Sequence, residues 1–137
     1  MFPALPRPTI FAHRGSSAHA PENTLSAFRL ALEQNADALE LDAKLTRDGA
    51  IIVIHDQSVD RTTDGTGQVK QLTLAEIRML DAGSYFDVAY RGEPIPTLEE
   101  VLDEFGRRTF INIELTNYIS PWDSLPEAVS RLIKKMR

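Results

Sequence analysis

Residues 37–42 read DALELD and residues 51–55 read IIVIH, and these two apolar runs decide the fold class. Each has the length and composition of a buried strand, and Asp48-Gly49 between them indicates a turn. Two more strands are predicted, at 9–13 (TIFAH) and 109–115 (TFINIEL). Helical spacing and capping residues predict helices at 23–34 with Asn23 as N-cap, 73–80, 97–105 and from Leu125 to the end. This alternation of strands and helices predicts an α/β fold with a mainly parallel sheet.

The connection between the second and third strands is short for such a sheet. Only eight residues, Ala43 to Ala50, separate the two, whereas a parallel crossover needs a dozen or more. A plain hairpin would make the strands antiparallel and would put their ends on opposite sides of the sheet. Because both strands end in ionisable residues, we expect instead that the chain turns back without a helix, which gives an irregular barrel.

Composition narrows the function classes. The chain has 137 residues, of which 42% are hydrophobic and 26% charged, and a net charge of −5, as in one ordinary globular domain. The mild acidity argues against a nucleic-acid partner. The absence of cysteine excludes disulfides, thiol chemistry and Cys-zinc sites. No secretory signal and no apolar run of about 18 residues are found, so we expect a cytoplasmic protein without stable membrane insertion.

Ionisable residues stand at or near the ends of all four predicted strands. Side chains two apart on a strand share a face, so Glu40 and Asp42 point the same way, as do Asn112 and Glu114. The first strand ends at His13, followed by Arg14, and the third ends at His55. Barrels of the α/β type collect catalytic residues at these carboxyl ends.

This set of residues suits phosphodiester chemistry. Three converging carboxylates repel one another unless a hard divalent cation joins them, and oxygen ligands suit Mg²⁺ or Ca²⁺. The two histidines can supply a base for a nucleophile and an acid for a leaving oxygen. Arg14 can grip a phosphate through two donors.

Several stretches, in order and spacing, resemble the glycerophosphodiester phosphodiesterase family. They are FAHRGSSAHAPENTLSAF, ALELDAKLTRDGAIIVIHD, DRTTDGTG, LTLAEIRMLDAG, PIPTLEEVL and NIEL, between about Phe11 and Glu114. The resemblance implies a TIM barrel that hydrolyses glycerophosphodiesters to glycerol 3-phosphate and an alcohol. It makes His13 and His55 the acid–base pair, Glu40, Asp42 and Glu114 the ligands of one divalent cation, and Arg14 the phosphate contact.

The resemblance also implies an incomplete barrel. A complete one takes roughly 250 residues, so residues 1–137 are expected to form the N-terminal part of a single barrel domain, about its first half, with a loop-rich insertion at about 57–95. Many family members have a lysine two residues after the third ligand, where this chain has Thr116. Two alternatives therefore stay open: a related phosphodiesterase acting on lysophospholipid head groups, and a weak fragment that binds metal and phosphate without turnover.

The route of the reaction and the oligomeric state follow less directly from the residues. The site residues do not separate attack by the substrate's own glycerol hydroxyl, through a cyclic phosphate, from direct attack by water.

Half a barrel leaves strand edges and an inner face uncovered, which favours a homo-oligomer. That inner face is expected to include Phe11, Ile51, Val53 and Phe110.

Overall fold

A computed structural model describes residues 8–116 and 123–136. Its strands and helices follow the order expected from the sequence. They are β1 (Phe11–His13), α1 (Leu25–Glu33), β2 (Ala38–Leu45), β3 (Ile51–Val53), a 3-10 turn (Val69–Gln71), α2 (Leu74–Ile77), a second 3-10 turn (Val88–Tyr90), α3 (Leu98–Phe105), β4 (Phe110–Glu114) and α4 (Leu125–Lys135).

The sheet is built around β2. Strand β1 pairs with it in parallel on one side and β4 in parallel on the other, with His13 opposite Glu40 and Asp42 opposite Glu114. The carboxyl ends of these three strands therefore meet at one edge of the sheet. This partial parallel sheet, with helices between its strands, confirms the α/β prediction.

Strand β3 runs the other way. Ala43 pairs with Val53 and Leu45 with Ile51 in an antiparallel ladder, so the expectation of a chain that avoids a plain hairpin is wrong. Eight residues are too few for a crossover, and Gly49, with a φ of 80°, sits in the tight turn. The hairpin nevertheless leads back to the site, because β2 continues three residues past Asp42 before it turns. The Ile54 N–H then donates to the Asp42 carbonyl at 3.0 Å.

The main core lies on the helix-facing side of β2. Leu39 and Leu41 are fully buried there under the helices, and the rings of Phe28 and Phe105 meet edge-on with their centroids 6.0 Å apart. Val53 belongs to this core and Ile51 packs against it, so placing them on the inner face was wrong. Val53 lies opposite Ala43 and Ile51 opposite Leu45 in the antiparallel ladder, and opposite residues share a face, so both side chains lie on the core side of β2. Phe11 is 45% exposed.

Strand β3 and the segment that follows it up to α3 build a second, smaller core. Its buried members are Ile52, Ile54, Val59, Val69, Ile77, Ala82 and Ile95. The predicted capping boxes of Thr73 with Glu76 and of Thr97 with Glu100 are both present and begin α2 and α3. Helix α2 ends at Ile77, three residues earlier than expected. The division into one barrel domain with an insertion at 57–95 stays a prediction.

Within residues 8–116 and 123–136, no helix combines the length and the apolarity needed to cross a bilayer. The cytoplasmic location stays a prediction.

Candidate active site

Three carboxylates converge at the carboxyl edge of the sheet. Glu40 and Asp42 lie on the inner face of β2, and Glu114 stands opposite Asp42 on β4. One oxygen from each lies within 4.8 Å of the other two. Glu40 is 7% exposed and Asp42 1%, whereas Glu114 is open to solvent. Such a group of oxygens could bind a metal ion.

Burial makes the charge on Glu40 unfavourable. It raises the pKa of this carboxyl above its ordinary value, although the backbone N–H of Arg14 opposes the shift. That N–H donates to Glu40 Oε2 at 2.9 Å. The other oxygen, Oε1, is buried and finds no hydrogen-bond partner among the described residues. An oxygen in this position is expected to have an additional ligand.

Of the two predicted catalytic histidines, His13 lies at this edge, and His55 lines a pocket together with Glu22 and Asn23. His13 ends β1 beside Glu40, and its Nε2 lies 4.0 Å from Glu40 Oε2, with 67% of the side chain exposed. His55 follows β3, and its Nδ1 lies 2.6 Å from Asp56 Oδ1. Because the pKa of Asp56 is lowered to about 2, this carboxylate is an acceptor at neutral pH. The proton of a neutral His55 ring is therefore on Nδ1, which leaves Nε2 as an acceptor.

Arg14 is present at the site but already holds two carboxylates. Its Nη1 donates to Glu22 Oε1 at 3.1 Å, and its Nε lies 3.5 Å from Asp42 Oδ2 without a hydrogen bond. The backbone at Arg14 has a φ of 58°, which is uncommon outside glycine. This turn aims both the backbone N–H and the side chain at the acidic residues.

Asn23 belongs to the same arrangement, although the sequence did not indicate it. It was expected to cap α1, but the N-cap is Thr24, whose Oγ1 accepts from the Ala27 N–H at 3.2 Å. Asn23 has a φ of 59°, and its Nδ2 donates to Asp42 Oδ2 at 3.0 Å. Asn and Thr are both favoured at an N-cap, and only the fold shows which of these two neighbours turns to the site.

A second missed residue is Arg61, from the loop after β3. Its guanidinium donates to both oxygens of Asp56 and both of Glu22, at 2.7–3.1 Å. The hydrogen bonds from Arg61 are the main cause of the low pKa of Asp56 and also lower the pKa of Glu22. Arg61 thereby fixes the carboxylate that holds His55. The sequence signal that could have identified Arg61 is its place in DRTTDGTG, one of the stretches that carry the family resemblance.

The third missed residue is Lys44, two positions after Asp42 on β2 and only 3% exposed. Its Nζ donates to Thr116 Oγ1 at 2.8 Å. Burial lowers the pKa of this ammonium, while Asp42 and Glu114 nearby oppose the shift. Spacing alone could have found it, because residues 40, 42 and 44 share one face of the strand.

Comparison with known proteins shows the family to which the chain belongs. The model of the glycerophosphoryl diester phosphodiesterase family matches residues 13–136, which include all six predicted site residues. The chain belongs to this family. A glycerophosphodiester phosphodiesterase of Caldanaerobacter subterraneus is 48% identical over 127 residues, which cover 92% of this chain and 52% of that protein. One from Bacillus subtilis is 45% identical over 134 residues, covering 92% of this chain and 44% of the relative.

Solved structures of the family show the same fold. An Oleispira antarctica phosphodiesterase in complex with the product sn-glycerol-3-phosphate superposes with a TM-score of 0.89 at 38% identity, covering 96% of this chain and 53% of the other. The Agrobacterium tumefaciens glycerophosphodiester phosphodiesterase gives 0.86 at 41% identity, covering 93% and 53%. The α/β fold is therefore that of the family's TIM barrels. The chain spans about half the length of the curated relatives it matches.

Proposed function

We propose that this chain carries the catalytic edge of a phosphodiesterase that hydrolyses glycerophosphodiesters to glycerol 3-phosphate and an alcohol. The observation that carries this proposal is the convergence of Glu40, Asp42 and Glu114 within 4.8 Å at the carboxyl edge of the sheet, with His13 beside Glu40. Support comes from the family, and from the related Oleispira enzyme, whose structure contains sn-glycerol-3-phosphate as product.

The carboxylates fit a divalent cation. The buried Glu40 Oε1 has no protein partner in the described ranges, and three hard oxygen donors suit Mg²⁺ or Ca²⁺. Glu40, Asp42 and Glu114 would hold the ion, which when bound supplies positive charge to stabilise the phosphate oxygens as the reaction proceeds. Asn23 and the Arg14 N–H each bond one oxygen of a ligand carboxylate and so fix its orientation.

The histidines move the protons in this proposal. His55, with Nδ1 held by Asp56, takes the proton of the attacking hydroxyl on Nε2 as that oxygen bonds to phosphorus. The phosphorus–oxygen bond to the alcohol breaks, and His13 donates a proton to the departing oxygen. If the attacking oxygen belongs to water, glycerol 3-phosphate forms directly. If it belongs to the substrate's own glycerol hydroxyl, a cyclic phosphate forms first, and water then opens it to glycerol 3-phosphate. A test for a transient cyclic phosphate separates these routes.

Arg14 keeps its proposed role as a phosphate contact. Among the described residues its Nη2 has no hydrogen-bond partner, while Nη1 is held by Glu22. The guanidinium is therefore held through Nη1, while Nη2 remains available to donate to a substrate. Two donors of a fixed guanidinium recognise phosphate oxygens well.

Hydrolysis is tested by incubating the chain with glycerophosphocholine and Mg²⁺ or Ca²⁺. We expect cation-dependent release of sn-glycerol 3-phosphate. Faster cleavage of lysophosphatidylcholine would favour the related lysolipid phosphodiesterase. Cation and phosphate binding without release of either alcohol would show that this half-length chain is a binding module, and would overturn the enzymatic proposal.

The cation site is tested separately by calorimetry. Replacing Glu40 with Gln keeps the size of the side chain but removes a ligand charge, so the affinity for Mg²⁺ should fall at least about tenfold. Asp103→Asn, on the exposed surface of α3, removes the same charge elsewhere and should leave affinity unchanged. Unchanged affinity in Glu40→Gln, Asp42→Asn and Glu114→Gln alike would disprove the metal site.

A further inference from the structure

Lys44 extends the row of functional side chains on β2. Glu40, Asp42 and Lys44 lie two residues apart and so share the inner face of the strand. Asp42 stands opposite Glu114 in the β2–β4 register. The next pair outward is Lys44 with Thr116, joined by the 2.8 Å hydrogen bond from Nζ to Oγ1. The ammonium therefore lies one step beyond the acidic group, on the same face.

The ammonium of Lys44 lacks a direct counter-ion. In residues 8–116 and 123–136, no carboxylate oxygen lies within 4.0 Å of Nζ, whereas Arg14 contacts Glu22 and Asp42 and Arg61 contacts Glu22 and Asp56. Thr116 is neutral and uses one of the three ammonium donors. A buried charge normally has a close partner of opposite sign.

The nearby acids attract Lys44 from a distance but cannot serve both charges. If Glu40, Asp42 and Glu114 bind a divalent cation, their oxygens are directed to that ion, and the only hydrogen-bond partner of the ammonium in the described ranges is the neutral hydroxyl of Thr116. An anion bound next to the cation could accept the two remaining ammonium donors. A phosphate oxygen has the required charge and acceptor geometry.

We propose that Lys44 binds the phosphate group of the substrate, with its ammonium positioned by Thr116. This inference rests on the proposed function, because it requires the acidic group to hold a divalent cation. Thr116 then positions Nζ instead of binding phosphate itself.

The test measures binding of sn-glycerol 3-phosphate to the chain by calorimetry in Mg²⁺ buffer. Lys44→Met removes the ammonium, and loss of a charge-assisted hydrogen bond should weaken binding about 10- to 100-fold. Lys70→Met, at an exposed lysine of the first 3-10 turn, makes the same charge change and should bind as the wild type does. Lys44→Gln, which can still bond Thr116, serves if the Met variant does not fold.

A charge relocation gives the sharper result. In Lys44→Met/Thr116→Lys the ammonium returns from the other strand, so most of the lost affinity should be restored. Equal binding by wild type and Lys44→Met, or no binding of glycerol 3-phosphate by the wild type, would overturn the inference. Mg²⁺ affinity, measured in the same variants, separates the two proposals: its absence in the wild type contradicts the cation site, whereas its retention with an unaffected Lys44→Met contradicts the role of Lys44 alone.

Discussion

Asp42 is the residue on which the loop after β1 converges. Asn23 donates to it at 3.0 Å, and the Nε of Arg14 lies 3.5 Å away. Both of these neighbours have a positive φ, 59° and 58°, a conformation that costs non-glycine residues of order 1 kcal/mol or more. Backbone strain at two residues that both face the same carboxylate indicates that the loop is shaped for the site and not for the core.

The histidines are expected to act in catalysis and not in folding. His13→Ala or His55→Ala should lower turnover of glycerophosphocholine by about 10²–10⁴-fold, the usual effect of losing a general acid or base. The melting temperature should change little, because the ring of His13 is largely exposed and neither histidine belongs to a core. His19→Ala, at the third histidine, is the control, since this exposed loop residue should have no effect. Full turnover in both variants would require other proton carriers.

The connection from β1 to α1 depends on close packing at Gly15. A Cβ there would lie 2.7 Å from the carbonyl carbon of Ala27, and φ is 80°. Gly15→Ala should therefore lower the free energy of unfolding by about 2–4 kcal/mol, from backbone strain together with overpacking. Gly49→Ala is matched in φ, also 80°, but a Cβ there meets nothing within 4 Å, so about 1 kcal/mol is expected. Urea denaturation gives both values, and equal losses would show that the contact with α1 is unimportant.

Arg61 joins the loop after β3 to the loop after β1, and this link should respond to acid. The pKa of Asp56 is about 2 in the folded chain, below its ordinary 3.8, so its charged form stabilises the fold above about pH 4. That stability is lost as the pH falls from about 4 to 2. Between pH 4 and 2, the free energy of unfolding of Asp56→Asn should therefore fall by about 1 kcal/mol less than that of the wild type. This value is reduced for the exposure of Arg61 to solvent.

Melting curves at several pH values measure this effect. Asp103→Asn, an exposed carboxyl on α3, should keep the acid dependence of the wild type. If Asp56→Asn showed that same dependence, the link through Arg61 would not contribute to stability.

At the level of strands and helices, the local sequence pattern predicted those features that depend on neighbouring residues. Alternation along β2 placed Glu40 and Asp42 on one face and Leu39 and Leu41 on the other, and both capping boxes formed as predicted. The direction of β3 was not predictable in this way. Its apolar run reads the same in either orientation, and what returns His55 to the site is the extension of β2 past Asp42.

The side-chain pairs of the site that were not predicted join residues far apart in the sequence. Lys44 and Thr116 are 72 residues apart, and Arg61 and Glu22 are 39 apart. Nothing in either neighbourhood specifies the partner, because the pairing depends on which strands and loops lie side by side. Here the β2–β4 register and the hairpin bring them together. The sequence therefore did not predict that Lys44 and Arg61 belong to the site, because their roles depend on these partners.

For the whole molecule, the parallel sheet raises the question of how its open sides are covered. Within the described ranges, β1 and β4 each pair with β2 alone, so each has one unpaired edge. Ile10, Phe11 and Leu115 are exposed near these edges. Unpaired strands with exposed apolar side chains favour association.

We therefore expect the 137-residue chain to self-associate. Light scattering over a range of concentrations should give a mass of at least twice 15.3 kDa. Phe11→Lys places a charge at the β1 edge and should shift the equilibrium towards the monomer, because a lysine on an edge strand opposes pairing. Met79→Lys, at an exposed position just after α2, introduces the same charge away from the sheet and should leave the mass unchanged. A monomer at every concentration would show that the edges of β1 and β4 do not drive assembly, and that the exposed face is tolerated in water.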